Sequence, residues 1–170
     1  TYLRAARLLD VEAGAYVDDV LVEVADGRIV SVGPAPTSLP AGTVDLGDRT
    51  VLPGLIDVHT HLGDHGWLPL EQYDPWALTP AAFGIAGTVN ARATLHAGFT
   101  TVRNVSEPYF TGIALRDAIA GGWIEGPRMF VSGPMITITG GHGPRGNWMA
   151  PPFDRSGLAP APASSPLFPS

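Results

Sequence analysis

The pattern of apolar and polar residues divides the chain near residue 51. Before that point, apolar residues fall in short, weakly alternating runs that are separated by turn-forming residues. The runs predicted to be strands are residues 3–9, 21–24, 28–33 and 44–46. Asp26-Gly27 lies between two of them and predicts a β-hairpin, because this dipeptide readily takes the positive φ angles of a tight turn. Residues 1–50 are therefore predicted to form a small β module, too short to be a complete sandwich alone.

From residue 51 onward the pattern is that of strands alternating with helices. The predicted strands are residues 55–59, 100–105 and 128–132. The first helix is indicated by apolar residues at helical spacing, namely Ile85, Val89, Ala93 and Ala97. It is predicted to begin at Thr79-Pro80 and to end at Gly98, and a second short helix ends at Gly121-Gly122. This alternation predicts parallel βαβ units with right-handed crossovers.

Composition narrows the class of protein. Of 170 residues, 45% are apolar and 15% are charged, and the net charge of −6 disfavours binding to nucleic acid or to an anionic membrane. The chain has no cysteine, which excludes disulfides and thiolate metal sites. It has no apolar run of membrane-spanning length, and residues 1–7 do not have the pattern of a signal peptide. We therefore expect a cytoplasmic protein.

The strongest candidate for chemistry is the run Pro53-Gly54-Leu55-Ile56-Asp57-Val58-His59-Thr60-His61. Alternate residues of a strand point to the same side, so His59 and His61 are predicted to project together. Two imidazoles so placed can bind one divalent cation, with zinc as the first expectation. The alternative is a pair of surface or packed histidines without a ligand.

This run resembles the first barrel strand of the amidohydrolase superfamily. The resemblance extends to residues 97–104, which are similar to the second strand of the family, and to residues 126–134 and 138–143, which are similar to the third strand and its following loop. Within the superfamily the chain is most similar to the Xaa-Pro dipeptidase and imidazolonepropionase-like branch. The resemblance covers residues 15 to 145.

The resemblance implies an α/β fold in which a small N-terminal β-sandwich module precedes a (β/α)₈ barrel with its metal site at the mouth. A complete barrel needs about 250 residues, so the barrel is expected to be incomplete, with about three strands. The implied domains are residues 1–50, part of a composite β-sandwich, and residues 51–149, the start of the barrel. Residues 150–170 are rich in Pro, Ala and Ser and are predicted to be a disordered tail.

The implied function is hydrolysis of a carbon–nitrogen bond in a small amide or dipeptide by water activated on one or two divalent ions. The complete family site also uses a carboxylated lysine or acid, two later histidines and a late aspartate. This chain has no lysine, no histidine after His142, and only Asp154 as an acid beyond it.

These missing ligands lead to the expectation of a truncated N-terminal fragment that is inactive alone. A frameshift, a premature stop or a gene fragment would each explain it. The alternative function is an inactive fragment, or part of a split assembly, with at most weak metal binding. The choice of substrate and the oligomeric state stay open.

Other polar residues each have two interpretations. Asp57 is predicted either to support the metal ligands or to bond backbone groups. Arg103 could bind a substrate carboxylate or have a structural role. His142, in a glycine-rich loop, could contact substrate or be incidental. His96 is expected to be partly buried or to cap its helix, and Asn104 stands where family members often have Asp.

Overall fold

The computed structural model describes residues 1–63 and 80–136. The chain divides into two compact units, Thr1–Pro53 and a second unit that begins at Gly54. The predicted tail, residues 150–170, and His142 lie outside the described residues. The two units are described separately.

The first unit is one five-stranded sheet. Its strands are β1 (Tyr2–Asp10), β2 (Ala15–Ala25), β3 (Arg28–Pro34), β4 (Val44–Asp45) and β5 (Thr50–Val51). The order is β3-β2-β1-β4, and β5 also pairs with β1. The predicted hairpin joins β2 to β3, with positive φ angles of 51° at Asp26 and 71° at Gly27. No second sheet that would complete a sandwich is present within residues 1–53.

A polar cluster fixes the turn that follows β4. The Asp45 carboxylate accepts a hydrogen bond from the Gly47 backbone N–H at 2.8 Å and one from Arg4 Nη1 at 3.3 Å. The Gly47 bond is the main reason that the pKa of Asp45 lies below its ordinary value, and Arg4 adds to the effect. Arg4 also binds Asp19 at 2.7 Å, so one guanidinium joins β1, β2 and β4.

The second unit confirms the predicted alternation of strands and helices. Its elements are β6 (Leu55–Thr60), α1 (Pro80–His96), β7 (Phe99–Asn104), α2 (Thr111–Ala120) and β8 (Arg128–Val131), with a short 3₁₀ turn at Pro108–Phe110. The three strands are parallel and lie in the order β6-β7-β8. The carboxyl ends of all three therefore meet at one edge, where ligands bind in folds of this class.

The helices cover one face of this parallel sheet. Val102 and Met129 from the strands pack with Ala91 of α1 and Leu115 of α2, and Leu62 completes this core cluster. In a strand the neighbouring residues point to the opposite face, and Phe130, beside Met129, is 61% exposed. Thus one face of the sheet is buried under helices and the other is open.

The buried side of α1 differs from the side marked by its apolar repeat. Phe83, Ala86, Gly87 and Ala91 are buried, whereas Ile85 and Val89 are 64% and 52% exposed. Ala93 and Ala97 are exposed too. The reason is close helix packing, since a Cβ at Gly87 would lie 3.1 Å from Leu115 Cδ2. The apolar repeat therefore does not indicate the face of α1 whose small residues pack against α2.

No helix in residues 1–63 and 80–136 is long and apolar enough to cross a membrane.

Candidate metal centre

The two histidines of the motif lie at the carboxyl end of β6. Asp57 pairs with Val102 and Thr60 pairs with Asn104, so three residues of β6 correspond to two residues of β7. This irregularity is a bulge, a feature that re-aims side chains at functional edges of sheets. Asp57 Oδ1 accepts a hydrogen bond from the His59 backbone N–H at 2.9 Å and so fixes the bulge locally.

The imidazoles of His59 and His61 lie together, as the sequence predicts. Their ring centroids are 5.2 Å apart and their planes make an angle of 77°. His61 Nδ1 lies 2.7 Å from the Val105 carbonyl oxygen. Because a carbonyl can only accept, Nδ1 carries the proton in this bond, and Nε2 keeps the free lone pair that a metal requires.

The histidine pair opens into a depression at the carboxyl edge of the sheet. The depression has a volume of about 460 Å³. Besides the two histidines, it is lined by Val105, Ser106, Ser132 and residues 134–136. These residues follow β7 and β8, so the depression is formed by all three strand ends.

The imidazole nitrogens of His59 and His61 fit part of a metal site. Two neutral imidazole nitrogens suit zinc and similar divalent ions, and the Nδ1–carbonyl bond of His61 is the support that metal-binding histidines usually have. A structural zinc site needs four ligands and a catalytic one needs three from the protein. Residues 1–63 and 80–136 hold no group of three or more His, Cys, Asp or Glu side chains around one point. The described residues therefore offer two candidate ligands, fewer than either kind of zinc site needs.

The other predicted site residues are placed as follows. Arg103 Nε donates to the Val58 carbonyl of β6 at 2.6 Å, which gives the guanidinium a structural contact beside the histidines. Binding of a substrate by Arg103 stays a prediction. His96 is more exposed than expected, with 55% of its side chain accessible, and its Nε2 lies 2.9 Å from Glu125 Oε1. It is exposed because it ends α1, beyond the packed part of the helix.

The structure adds two residues that the sequence did not mark as functional. Asn104 is fully buried and Glu107 is 2% exposed, and Asn104 Nδ2 donates to Glu107 Oε1 at 2.9 Å. In the sequence, Asn104 is marked only by standing where family members often have Asp, and Glu107 belongs to no motif. Their other bonds, to the backbone of Leu62 and Gly63, span more than forty positions of the chain, so no local sequence pattern indicates these contacts.

Known proteins share both the sequence and the fold of this region. The pattern of the Amidohydrolase family matches residues 50–163. An imidazolonepropionase from Methylobacterium sp. is 36% identical over 128 residues, which are 66% of this chain and 29% of that protein. An allantoinase from Streptomyces avermitilis is 35% identical over 105 residues, covering 61% of this chain and 23% of that protein.

A solved structure extends the similarity to three dimensions. A Xaa-Pro dipeptidase with methionine bound in its active site aligns with a TM-score of 0.70 and 30% identity, covering 84% of this chain and 35% of that chain. The chain thus spans about a quarter of the length of the curated relatives it matches, at 29% and 23% of their lengths.

Proposed function

Because the chain belongs to the amidohydrolase family, we propose that it supplies the first two metal ligands of a hydrolase that cleaves carbon–nitrogen bonds. His59 and His61 are the proposed ligands, and zinc is the proposed ion. The substrate is a small amide, either a cyclic amide or a dipeptide.

The arrangement of His61 carries this proposal. Its Nδ1–H is bound by the Val105 carbonyl at 2.7 Å, and its ring lies 5.2 Å from that of His59 at a depression open to solvent. Among residues 1–63 and 80–136 no hydrogen-bond partner lies at His61 Nε2, so one ring nitrogen is bound and the other is available to a ligand. This asymmetry is the one that a metal-binding histidine uses.

The residues of the chain would orient both the ion and the substrate. A divalent ion lowers the pKa of a bound water and polarises the scissile carbonyl. His59 and His61 would fix the position of that ion at the carboxyl edge of β6. Ser106 and Ser132 line the same depression with hydroxyl groups that can bond polar atoms of an amide. Asp57 acts indirectly, by holding the backbone of His59.

One observation favours the alternative of an inactive chain that binds metal weakly. Within residues 1–63 and 80–136 no third ligand approaches the histidine pair. Two ligands leave the shell of a zinc ion open, so affinity and turnover would both be low.

A zinc titration of the full chain by calorimetry tests the proposal. We expect His59→Ala and His61→Ala to weaken binding at least about tenfold, because each removes a ligand. His96→Ala is the matched control, since it removes another exposed histidine, at the end of α1, and is expected to bind zinc as the parent chain does. Equal affinity in all four proteins would contradict the proposed ligands.

Hydrolysis assays of the zinc-loaded chain separate the two functions. Turnover of a dipeptide or a cyclic amide that His59→Ala abolishes would establish the hydrolase. Zinc binding without turnover of any member of such a panel would establish the alternative.

A further inference from the structure

Asn104 and Glu107 form a buried polar pair beside the histidines. A buried amide or carboxylate costs free energy unless its hydrogen bonds are made, and a glutamate is rarely buried without partners. Neither side chain lines the depression that contains His59 and His61. The pair therefore acts through the protein and does not itself meet a ligand in this depression.

The hydrogen bonds of the pair converge on the residues around His61. Asn104 Oδ1 accepts from the Leu62 backbone N–H at 2.7 Å and from Thr60 Oγ1 at 3.1 Å. Glu107 Oε1 accepts from the Gly63 backbone N–H at 2.7 Å. The chain is thus held on both sides of His61 by Asn104 at the end of β7 and Glu107 just after it.

The same stretch of chain also orients the ring of His61. Val105 lies between the two buried residues, and its N–H donates to the Thr60 carbonyl at 2.9 Å. Its own carbonyl accepts from His61 Nδ1 at 2.7 Å. A change in the position of Glu107 would therefore move both the backbone after His61 and the carbonyl that fixes its ring.

Two glycines, Gly63 and Gly112, pack closely against Glu107 and limit its position. A Cβ on Gly63 would overlap Glu107 Oε2, and a Cβ on Gly112 would lie 3.0 Å from both Glu107 Cγ and Asn104 Nδ2. An alanine at Gly63 would therefore displace the carboxylate, and one at Gly112 would press tightly on both side chains. The carboxylate is consequently held between the end of β6 and the start of α2.

We propose that Glu107 is a positioning residue for the metal ligand His61. It acts through Gly63 and Asn104, keeping Nδ1 of His61 on the Val105 carbonyl and leaving Nε2 free. This inference rests on the proposed function for the metal, but its first readout is the tautomer of His61, which requires no metal.

Nitrogen-15 NMR of the histidine side chains in the metal-free full chain reads that tautomer directly. We expect the parent chain to show His61 with the proton on Nδ1, and Glu107→Ala to show a mixture of both tautomers. Glu107→Gln keeps an acceptor oxygen and is expected to restore the parent spectrum. Val20→Ala is the control, because it removes fully buried apolar atoms from β2 in the first unit, outside the network.

The zinc titration supplies the second readout. Loss of such a supporting contact lowers metal affinity by about tenfold to a hundredfold, and we expect this of Glu107→Ala but not of Glu107→Gln. An unchanged tautomer together with unchanged affinity in Glu107→Ala would overturn the inference. If that variant does not fold, Gly63→Ala takes its place, because it displaces the carboxylate without removing it, and an unchanged His61 spectrum there is equally decisive.

The outcomes separate this inference from the proposed function. A parent chain that binds no zinc, with a tautomer that still depends on Glu107, refutes the metal and leaves the positioning of His61 intact. Zinc bound with the same affinity by every Glu107 variant, together with an unchanged His61 tautomer, supports the metal and refutes the positioning role.

Discussion

Single residues of the histidine motif have separate structural tasks. His59 and His61 face the depression, Asp57 bonds the backbone of the bulge, and Gly54 lies against Thr100 of β7. A Cβ at Gly54 would overlap the Oγ1 and Cγ2 atoms of Thr100 and lie 2.7 Å from its Cβ. The glycine of the motif is thus required by packing between β6 and β7, independently of any metal.

Gly54→Ala is therefore expected to destabilise the second unit by about 1–3 kcal/mol, the usual cost of overpacking. Adding Thr100→Ala to this variant should recover most of the loss, because it removes the atoms that clash. Urea unfolding followed by circular dichroism measures both effects. Gly33→Ala in β3 is the control, since no atom of the described residues lies within 4 Å of a Cβ there. Strictly additive effects at positions 54 and 100 would rule out the clash.

At the scale of elements, the sequence predicts the two ends of α1 but not which face of the helix is buried. Pro80 is its first residue, and Gly98 follows it with φ 96°, a conformation that suits only glycine well. Its buried face consists of Phe83 and the small residues Ala86, Gly87 and Ala91, which let α2 approach, whereas Ile85 and Val89 lie outside. Local capping preferences are encoded nearby in the chain, whereas the choice of face depends on α2.

Two glycine substitutions, one within α1 and one just after it, are expected to act in opposite directions. Gly98→Ala should destabilise the second unit by about 1 kcal/mol, because alanine is strained at positive φ. Gly84→Ala should stabilise it by about 0.5–1 kcal/mol, because alanine is the better helix former and a Cβ there meets no described atom within 4 Å. Thermal unfolding of the two variants beside the parent chain measures the difference. Stabilisation by Gly98→Ala would show that residue 98 does not adopt the positive φ angle in solution.

At the scale of the whole molecule, the open face of the parallel sheet is one exposed apolar surface among the described residues. Ile56, Val58 and Phe130 are 65%, 58% and 61% exposed, and none of them is covered by α1 or α2. Exposed apolar surface of this kind favours association and lowers solubility. The sequence favours the same conclusion, because an incomplete barrel of about three parallel strands leaves strand edges exposed.

We expect the chain to self-associate in a concentration-dependent way, and Phe130→Ser to reduce that association. Light scattering coupled to gel filtration measures the change. Trp123→Ser is the control, because Trp123 is more exposed, at 84%, but does not belong to the sheet. A monomeric parent chain with sharp cooperative unfolding would contradict this expectation.

The sequence by itself predicts the hairpin of the first unit, the parallel strands, both helices and the pairing of His59 with His61. These features follow from near neighbours in the chain: alternation in strands, helical repeats, glycine at positive φ and two histidines one residue apart. Of the two interpretations of Asp57 that the sequence allows, a bond to backbone groups agrees with the hydrogen bond from the His59 N–H, and support of a metal ligand stays a prediction. The sequence did not reveal the bulge in β6, because a bulge is defined only against the paired strand.

Only the tertiary structure decided which nitrogen of His61 is free and which residues fix it. Val105 lies 44 positions after His61, and Gly63 is equally far from Glu107. Contacts at such separation depend on how β6, β7 and α2 pack, and no periodic pattern in the sequence encodes that packing. The sequence therefore determined the proposed ligands, while the packing of strand ends determined their orientation.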